Sequence, residues 1–115
     1  DIDSFENMTA LSDTGPIIVI HSPGGSTLHA PIDFDIEAKP RDGKSIVISS
    51  LRVEYRLGGF WINITRRIMD NANIEGSRLV AIGADVPTGD HKLRFQVSDS
   101  AGEIARQTIL LTVTD

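Results

Sequence analysis

Residues 87–102, with the sequence PTGDHKLRFQVSDSAG, constrain the fold more than any other part of this chain. Leu93, Phe95 and Val97 alternate with polar residues, and a period of two is expected of a β-strand that buries one face and exposes the other. The letters TGD before this strand and DSAG after it favour tight turns, because Gly adopts positive φ at little cost and Asp bonds its own backbone. The segment therefore predicts a turn, a strand and a second turn, and such a strand needs partner strands.

Strand patterns recur along the rest of the chain, separated by stretches rich in Gly, Pro, Asp and Ser. The predicted strands are residues 17–21, 32–38, 51–57, a return strand from Phe60, 78–86, 92–98 and 105–113. Residues 66–77 are polar and rich in turn formers, which predicts a loop that contains a short edge strand near Ile74. No stretch has a convincing helical period. About seven strands with turns between them predict an all-β fold, an antiparallel β-sandwich of two sheets.

A two-residue hairpin is predicted where residues 51–57 end at Gly58 and Gly59. Residues on either side of such a loop face each other across the two strands. The expected pairs on one face are Leu57 with Phe60, Tyr55 with Ile62, and Val53 with Ile64. On the opposite face the same register places Arg56 beside Trp61.

Alternation also divides each predicted strand into an inner and an outer face. The side chains expected to fill the interior are Ile32, Phe34, Ile36, Leu51, Val53, Tyr55, Leu57, Phe60, Ile62, Leu93, Phe95, Val97, Ile109, Leu111 and Val113. Asp33, Asp35 and Glu37 fall on the outer face of the second strand, where we expect a solvated row of acids.

Composition limits the class of protein and the partners. A chain of 115 residues suits one domain. Its formal net charge of -5 argues against nucleic-acid binding, which needs a surplus of Lys and Arg. Without Cys there is no disulfide and no thiolate site, and no apolar run is long enough to span a membrane. The opening DIDSFENMTA lacks both Met and a basic leader. We therefore expect a piece of a longer protein, with residues 1–15 as a linker to a preceding domain and residues 16–115 as one folded domain.

The stretch VPTGDHKLRFQVSDSAGE with its following strand resembles the closing half of bacterial immunoglobulin-like and fibronectin type III-like repeats. SSLRVEYRLGG stands where those modules have their third strand and its turn, so the resemblance covers roughly residues 16–115. It implies an immunoglobulin-like β-sandwich in a bacterial protein that is secreted, periplasmic or exposed at the cell surface. The chain does not resemble antibody-type domains, which have a Cys pair and a Trp in the third strand, because it has neither. His91 stands where many relatives have a corner tyrosine, and its ring can also bond backbone.

The residues that carry reactive or ligating chemistry are dispersed. His21, His29 and His91 lie on different segments, so the spacing predicts neither a metal site nor a cofactor. Asp99 begins a turn without the run of oxygen ligands of an EF-hand loop, and we expect it to cap that turn. No G-x-S-x-G elbow and no phosphate-binding loop is present. The sequence therefore predicts no catalytic residues, and we do not expect an enzyme.

One surface is a candidate for binding. If residues 51–65 share a sheet with 92–98 and 105–113, the outer face of that sheet gathers a tryptophan with basic and polar residues. These residues are Trp61, Arg56, Arg52, Asn63, Lys92 and Arg94, and Arg106 extends the row. Three interpretations stay open: an Arg56–Trp61 cation–π pair that only stabilises the sheet, docking of a protein, or a platform for a sugar ring.

These observations predict a non-catalytic module of a larger bacterial secreted or surface protein, acting as a spacer or as a protein-interaction domain. The alternative is a carbohydrate-binding accessory module of a polysaccharide-active enzyme, in which Trp61 would stack on the sugar. The expected partners are neighbouring domains of the same polypeptide, a protein or a polysaccharide, and not nucleic acid.

Overall fold

Nine β-strands and one short helix form the part of the chain that the computed structural model describes, residues 15–24 and 27–115. The elements in chain order are β1 (Ile17–Ser22), β2 (Thr27–His29), β3 (Ile32–Lys39), β4 (Ile46–Leu57), β5 (Phe60–Asn63), α1 (Thr65–Asp70), β6 (Asn73–Glu75), β7 (Arg78–Ala84), β8 (Gly89–Asp99) and β9 (Ile104–Thr114). Every strand expected from the sequence is present, including the short edge strand near Ile74, and β4 and β8 extend further than their alternation indicates.

The strands pair into two sheets. The four-stranded sheet has the order β1-β3-β7-β6 and the five-stranded sheet the order β2-β9-β8-β4-β5. All of these pairs are antiparallel except that of β2 with β9, which is parallel. The predicted two-sheet β-sandwich is therefore confirmed. Strand β2 is an addition that the sequence does not indicate, because three residues are too few to show an alternation.

The inner faces of the two sheets enclose an apolar core. Every second residue of β3 is buried, and so is every second residue of the middle of β8, as the alternation predicts. The buried apolar residues are Ile18, Ile32, Phe34, Ile36, Ala38, Val53, Leu79, Ala81, Leu93, Phe95, Val97, Ala105, Leu111 and Val113. Three further residues of the predicted core, Leu51, Tyr55 and Ile109, are half-buried and pack against it.

The hairpin of β4 and β5 has the predicted register but not the predicted burial. Its pairs include Leu57 with Phe60 and Tyr55 with Ile62, and the amide of Ile64 donates to the carbonyl of Val53. The prediction that Leu57, Phe60 and Ile62 belong to the core is wrong, because they are 61%, 74% and 43% exposed.

The reason for this exposure lies in the pairing of the strands. The register of β4 with β8 runs only to Tyr55, and β5 pairs with β4 alone. Strand β8 itself continues to Gly89 and still pairs there with β9, so the hairpin separates from β8 beyond Tyr55. Alternation assigns these side chains to the inner face correctly, but it contains no information on whether another layer lies opposite.

Residues 66–77 contain a helix where the sequence predicts a loop. Helix α1 begins after Asn63, whose side-chain oxygen accepts bonds from the amide (3.0 Å) and the hydroxyl (2.7 Å) of Thr65. The Thr65 hydroxyl also accepts from the amide of Val53 at 2.8 Å, which ties the helix to β4. Ile64, Ile68 and Ala72 are apolar at helical spacing across α1 and its flanks, and all three pack against the core. Six residues show too little period to predict a helix.

Two further expectations concern the ends of the domain and the membrane. Residues 1–14 of the predicted linker lie outside the described residues, so its extent stays a prediction. Gly15 and Pro16 are buried, and the carbonyl of Gly15 accepts a bond from Arg41 Nε at 2.8 Å.

Among the described residues, no helix has the length and hydrophobicity to cross a bilayer.

Candidate functional site

The outer face of the five-stranded sheet brings together most of the residues predicted for binding. Glu54 lies opposite Asn63 on one side and opposite Arg94 on the other, and Arg56 lies opposite Trp61. Arg52, Glu54 and Arg56 are the outward residues of β4, so the face alternates an acid with bases. We call Arg52, Glu54, Arg56, Trp61 and Arg94 the tryptophan cluster.

Two guanidinium groups lie against the ring of Trp61. Arg56 Cζ is 5.3 Å from the ring centroid, which is the cross-strand pair predicted from the hairpin register. Arg94 Cζ is closer, at 4.2 Å, although Arg94 lies on β8 and Trp61 on β5, with β4 between them. A cation within about 6 Å of an indole centroid is attracted by the negative face of the ring. Trp61 is half-buried under these contacts rather than freely presented.

Glu54 is the member of the tryptophan cluster that sequence reasoning missed. It lies on the outer face yet is only 5% exposed, because Arg52, Arg94 and their neighbours cover it. Arg94 Nε and Nη2 each lie 2.8 Å from Glu54 Oε1, and Arg52 Nε lies 3.2 Å from Oε2. Burial alone would raise the pKa of Glu54, but the bonds and charges of Arg94 and Arg52 outweigh it and lower the pKa. The sequence contains one signal for this role: Glu54 stands between Arg52 and Arg56 among the alternate residues of the outer face of β4.

The remaining predicted residues have different surroundings. The side-chain oxygen of Asn63 accepts two bonds from Thr65 at the start of α1, so it is already used. Lys92 lies on β8 opposite Leu110, and it is half-buried. Arg106 Nε donates to Gln96 Oε1 at 2.6 Å. The structure thus brings Arg52, Arg56, Trp61 and Arg94 into one network, whereas Asn63 and Arg106 bond elsewhere.

The acidic row of β3 is bonded side chain by side chain. Arg78 reaches both carboxylate oxygens of Asp35, with its Nε at 2.6 Å and its Nη2 at 2.5 Å, and this bond lowers the pKa of Asp35. Glu37 pairs with His21 at 2.8 Å, and that bond lowers its pKa as well. Asp33 accepts from the amide of Gly83 at 2.8 Å. The row lies on the outer face as expected, with Asp33 exposed and Asp35 and Glu37 half-buried, and each carboxylate also bonds a residue of β1 or β7.

The three histidines are dispersed in the fold as they are in the sequence. His21 contacts Glu37 on β3, His29 contacts Thr114 on β9, and His91 contacts Tyr55 on β4. Over residues 15–24 and 27–115, no group of three or more His, Asp or Glu side chains could hold a metal ion.

His91 links two other groups at the start of β8. Its Nε2 lies 2.8 Å from the carbonyl of Pro87, and its Nδ1 lies 2.9 Å from the hydroxyl of Tyr55. A carbonyl oxygen only accepts, so Nε2 carries the proton, and in the neutral ring Nδ1 accepts from the Tyr55 hydroxyl. His91 thus bonds backbone four residues upstream, which is the kind of bond expected from the corner position.

Asp99 caps the turn after β8, as the sequence predicts. Its Oδ1 accepts from the amides of Ala101 (2.9 Å) and Glu103 (3.0 Å), and its own amide donates to the carbonyl of Glu103 at 3.0 Å. The residue is 2% exposed. These bonds fix the turn that joins β8 to β9.

A second surface feature is apolar. Leu57, Phe60 and Ile62 stand on one face of the β4–β5 hairpin, and each is exposed. We call these three residues the hairpin patch. Strand β5 is also an edge strand, so one side of its backbone has no partner strand within the described residues. Exposed apolar side chains on a sheet edge are typical of interaction surfaces.

The order of the strands matches a known architecture. The order β1-β3-β7-β6 corresponds to the A-B-E-D sheet of immunoglobulin domains, and β9-β8-β4-β5 corresponds to G-F-C with an added C′ strand. No family model matches the sequence, and no curated protein matches it either.

Solved structures match the fold at low sequence identity. Murine CRIg gives a TM-score of 0.52 at 12% identity, covering 86% of this chain and 99% of that one. An engineered protein gives a TM-score of 0.56 at 17% identity. The match covers 87% of this chain and 20% of that protein. The fibronectin(III)-like modules of Clostridium thermocellum CbhA give a TM-score of 0.47 at 19% identity, and the match covers 84% of this chain and 94% of that chain. Together with the strand order, the match to murine CRIg shows that the chain has an immunoglobulin-like β-sandwich fold.

Proposed function

We propose that this chain is a non-catalytic immunoglobulin-like module of a larger bacterial secreted or surface protein, and that it docks a neighbouring domain of the same polypeptide through the hairpin patch. The observation that carries the proposal is the exposure of Leu57, Phe60 and Ile62, of which Phe60 is 74% exposed. A module that is held at a fixed position against its neighbour also acts as the spacer expected from the sequence.

The chemistry of the hairpin patch favours a protein partner. Burying an aromatic or aliphatic side chain contributes about 1.5–3 kcal/mol, and aromatic residues are frequent anchors of protein interfaces. Two leucine-sized neighbours beside one phenylalanine give a compact apolar surface without hydroxyl-binding groups. The edge of β5 that faces no other described strand adds backbone donors and acceptors that a protein segment can pair with.

The tryptophan cluster supports sugar binding less well. A sugar ring would have to displace the guanidinium of Arg94 or of Arg56 from the ring of Trp61. Displacing Arg94 would also disturb its bonds to Glu54. This arrangement favours the interpretation in which the cluster stabilises the sheet. A glycan that shifts the fluorescence of Trp61 and loses its binding in Trp61→Ala would establish the carbohydrate-binding role instead.

Amide hydrogen exchange tests the docking role. In the parent polypeptide we expect slower exchange at residues 57–62 than in the isolated chain, because the neighbouring domain covers them. Phe60→Ser should restore fast exchange there and change the stability of the isolated chain by less than about 0.5 kcal/mol, since the side chain is exposed. Ile104→Ser removes a different exposed apolar side chain, on β9, and should leave exchange at the hairpin unchanged. Equal exchange of residues 57–62 in the parent polypeptide and the isolated chain would refute docking at this surface.

A further inference from the structure

A cleft of about 650 Å³ opens between the two sheets beside α1. Its inner wall consists of buried side chains from both sheets, among them Phe34, Leu79, Phe95 and Leu111. Its mouth is formed by exposed residues at the end of α1, on β7 and in the segment after β7. These are Arg67, Asn71, Ile82, Asp85 and Pro87.

The size and lining of the cleft suit a small molecule better than water alone. Pockets that bind small molecules have volumes of about 300–1,000 Å³ and are lined largely by apolar side chains. At about 30 Å³ for each water in the liquid, the space is equal to roughly 20 waters. The inner wall offers these waters few hydrogen-bond partners, because most of it is Phe, Leu, Val and Ala. An apolar guest that replaces the water would cover the apolar surface that Ile68, Ile82 and Val86 still expose along the cleft, at a gain in free energy.

Tyr55 and His91 supply the polar contact inside the cleft. Both residues line it, and both are half-buried, unlike the exposed polar residues of the mouth. Because His91 Nε2 donates to Pro87, the Tyr55 hydroxyl donates its hydrogen bond to Nδ1 of the neutral His91 ring. The phenol oxygen then has a lone pair but no proton for a ligand. The cleft therefore offers a hydrogen-bond acceptor, and the complementary group on a ligand is an O–H or N–H donor.

The charges at the mouth indicate the charge of the ligand. Arg67 and Asp85 both line the opening, one basic and one acidic. Neither sign dominates, so the opening does not select an anion or a cation.

We propose that the cleft is a binding site for a small neutral molecule with a flat or branched apolar body and a single hydroxyl or N–H donor, which bonds the oxygen of Tyr55. The proposal is independent of docking at the hairpin patch, because that surface lies outside the cleft.

The fluorescent probe N-phenyl-1-naphthylamine has the proposed chemistry: two apolar ring systems joined by one N–H. We expect its emission to rise on titration with the folded chain, with a micromolar dissociation constant. 1-Naphthol should displace the probe better than 1-methoxynaphthalene, a slightly larger aromatic molecule that lacks the donor. No rise in emission at up to about 100 μM protein would overturn the proposal.

Three variants separate the cleft from other surfaces. Tyr55→Phe keeps the ring but removes the oxygen, and should weaken probe binding about tenfold. Val86→Trp narrows the cleft from a half-buried position outside the strands, and should abolish binding while the far-ultraviolet circular dichroism stays unchanged. Ile104→Ser should bind as the unmodified chain does, because this exposed residue is not part of the cleft.

The opposite results are equally informative. Full binding by Val86→Trp would place the probe on the outer surface and refute the site. Equal binding by Tyr55→Phe, or equal displacement by the two naphthalenes, would refute the donor requirement.

Discussion

Replacing Glu54 by Gln tests whether charge holds the outer face of the five-stranded sheet together. Gln has nearly the same size and shape as Glu, so the packing beneath Arg52 and Arg94 is kept. The substitution removes the negative charge that three arginine nitrogens approach at 2.8, 2.8 and 3.2 Å. It also places an amide NH₂ group in contact with groups that only donate.

The expected loss of stability is about 2 kcal/mol. Hydrogen bonds to a charged group contribute about 1.5–3 kcal/mol, and breaking a fully buried ion pair costs about 3–5 kcal/mol. Glu54 is covered by side chains of one layer and not by a second sheet, which favours the lower values. Arg94 keeps its contact with Trp61 in the variant, so part of the tryptophan cluster remains.

The loss should depend on pH in a defined direction. The pKa of Glu54 is lowered in the folded state from its usual value of 4.5. A lowered pKa means that the carboxylate stabilises the fold above the pKa of the unfolded chain, and that this stability is lost as the pH falls through the folded-state pKa. The difference between the unmodified chain and Glu54→Gln should therefore be full at neutral pH and shrink below pH 4.5. Asp35 and Glu37 also have lowered pKa values, but they are present in both proteins and cancel in the difference.

Urea unfolding followed by circular dichroism measures the effect. With a slope of about 1.5 kcal/mol per molar urea, a loss of 2 kcal/mol lowers the midpoint by about 1.3 M. Glu75→Gln is the matched control, because Glu75 is exposed on the edge strand β6 and should change stability by less than about 0.5 kcal/mol. A loss below about 0.5 kcal/mol for Glu54→Gln at neutral pH, or a loss that does not change with pH, would refute the reasoning.

Two further predictions concern the core and the hairpin turn. Phe95→Ala should lower the free energy of unfolding by about 3–5 kcal/mol, because the ring is 2% exposed and its removal leaves a cavity between the sheets. A loss of less than about 1 kcal/mol in urea unfolding would contradict the burial of this ring. Gly58→Ala should lower the free energy of unfolding by about 1–2 kcal/mol, because Gly58 has a φ of 60° that other residues adopt at a cost. Gly59 does not have positive φ, so Gly59→Ala should lower it by less. Equal thermal denaturation midpoints for these two glycine variants would contradict the turn geometry.

The faces and registers of the strands could be predicted from sequence because they are properties of neighbouring residues along one chain. The alternation around Phe34 and Phe95 identifies the buried face of β3 and β8, since successive side chains of a strand point to opposite sides. The Gly58–Gly59 turn sets which residues of β4 and β5 lie opposite each other. The short side chain of Asp99, which can bond nearby backbone, and the turn residues up to Gly102 predict the cap after β8.

The depth at which each face is buried was decided by the tertiary structure. Phe60 is on the inner face but is exposed, because the hairpin separates from β8 beyond Tyr55 and β5 pairs with β4 alone. Glu54 is on the outer face but is buried, because Arg94 from β8 and Arg52 close over it. Alternation along a strand determines the direction of a side chain, whereas its exposure depends on residues far away in sequence that lie opposite or beside it. The cleft beside α1 has the same origin, since it lies between segments of both sheets that meet only in the folded chain.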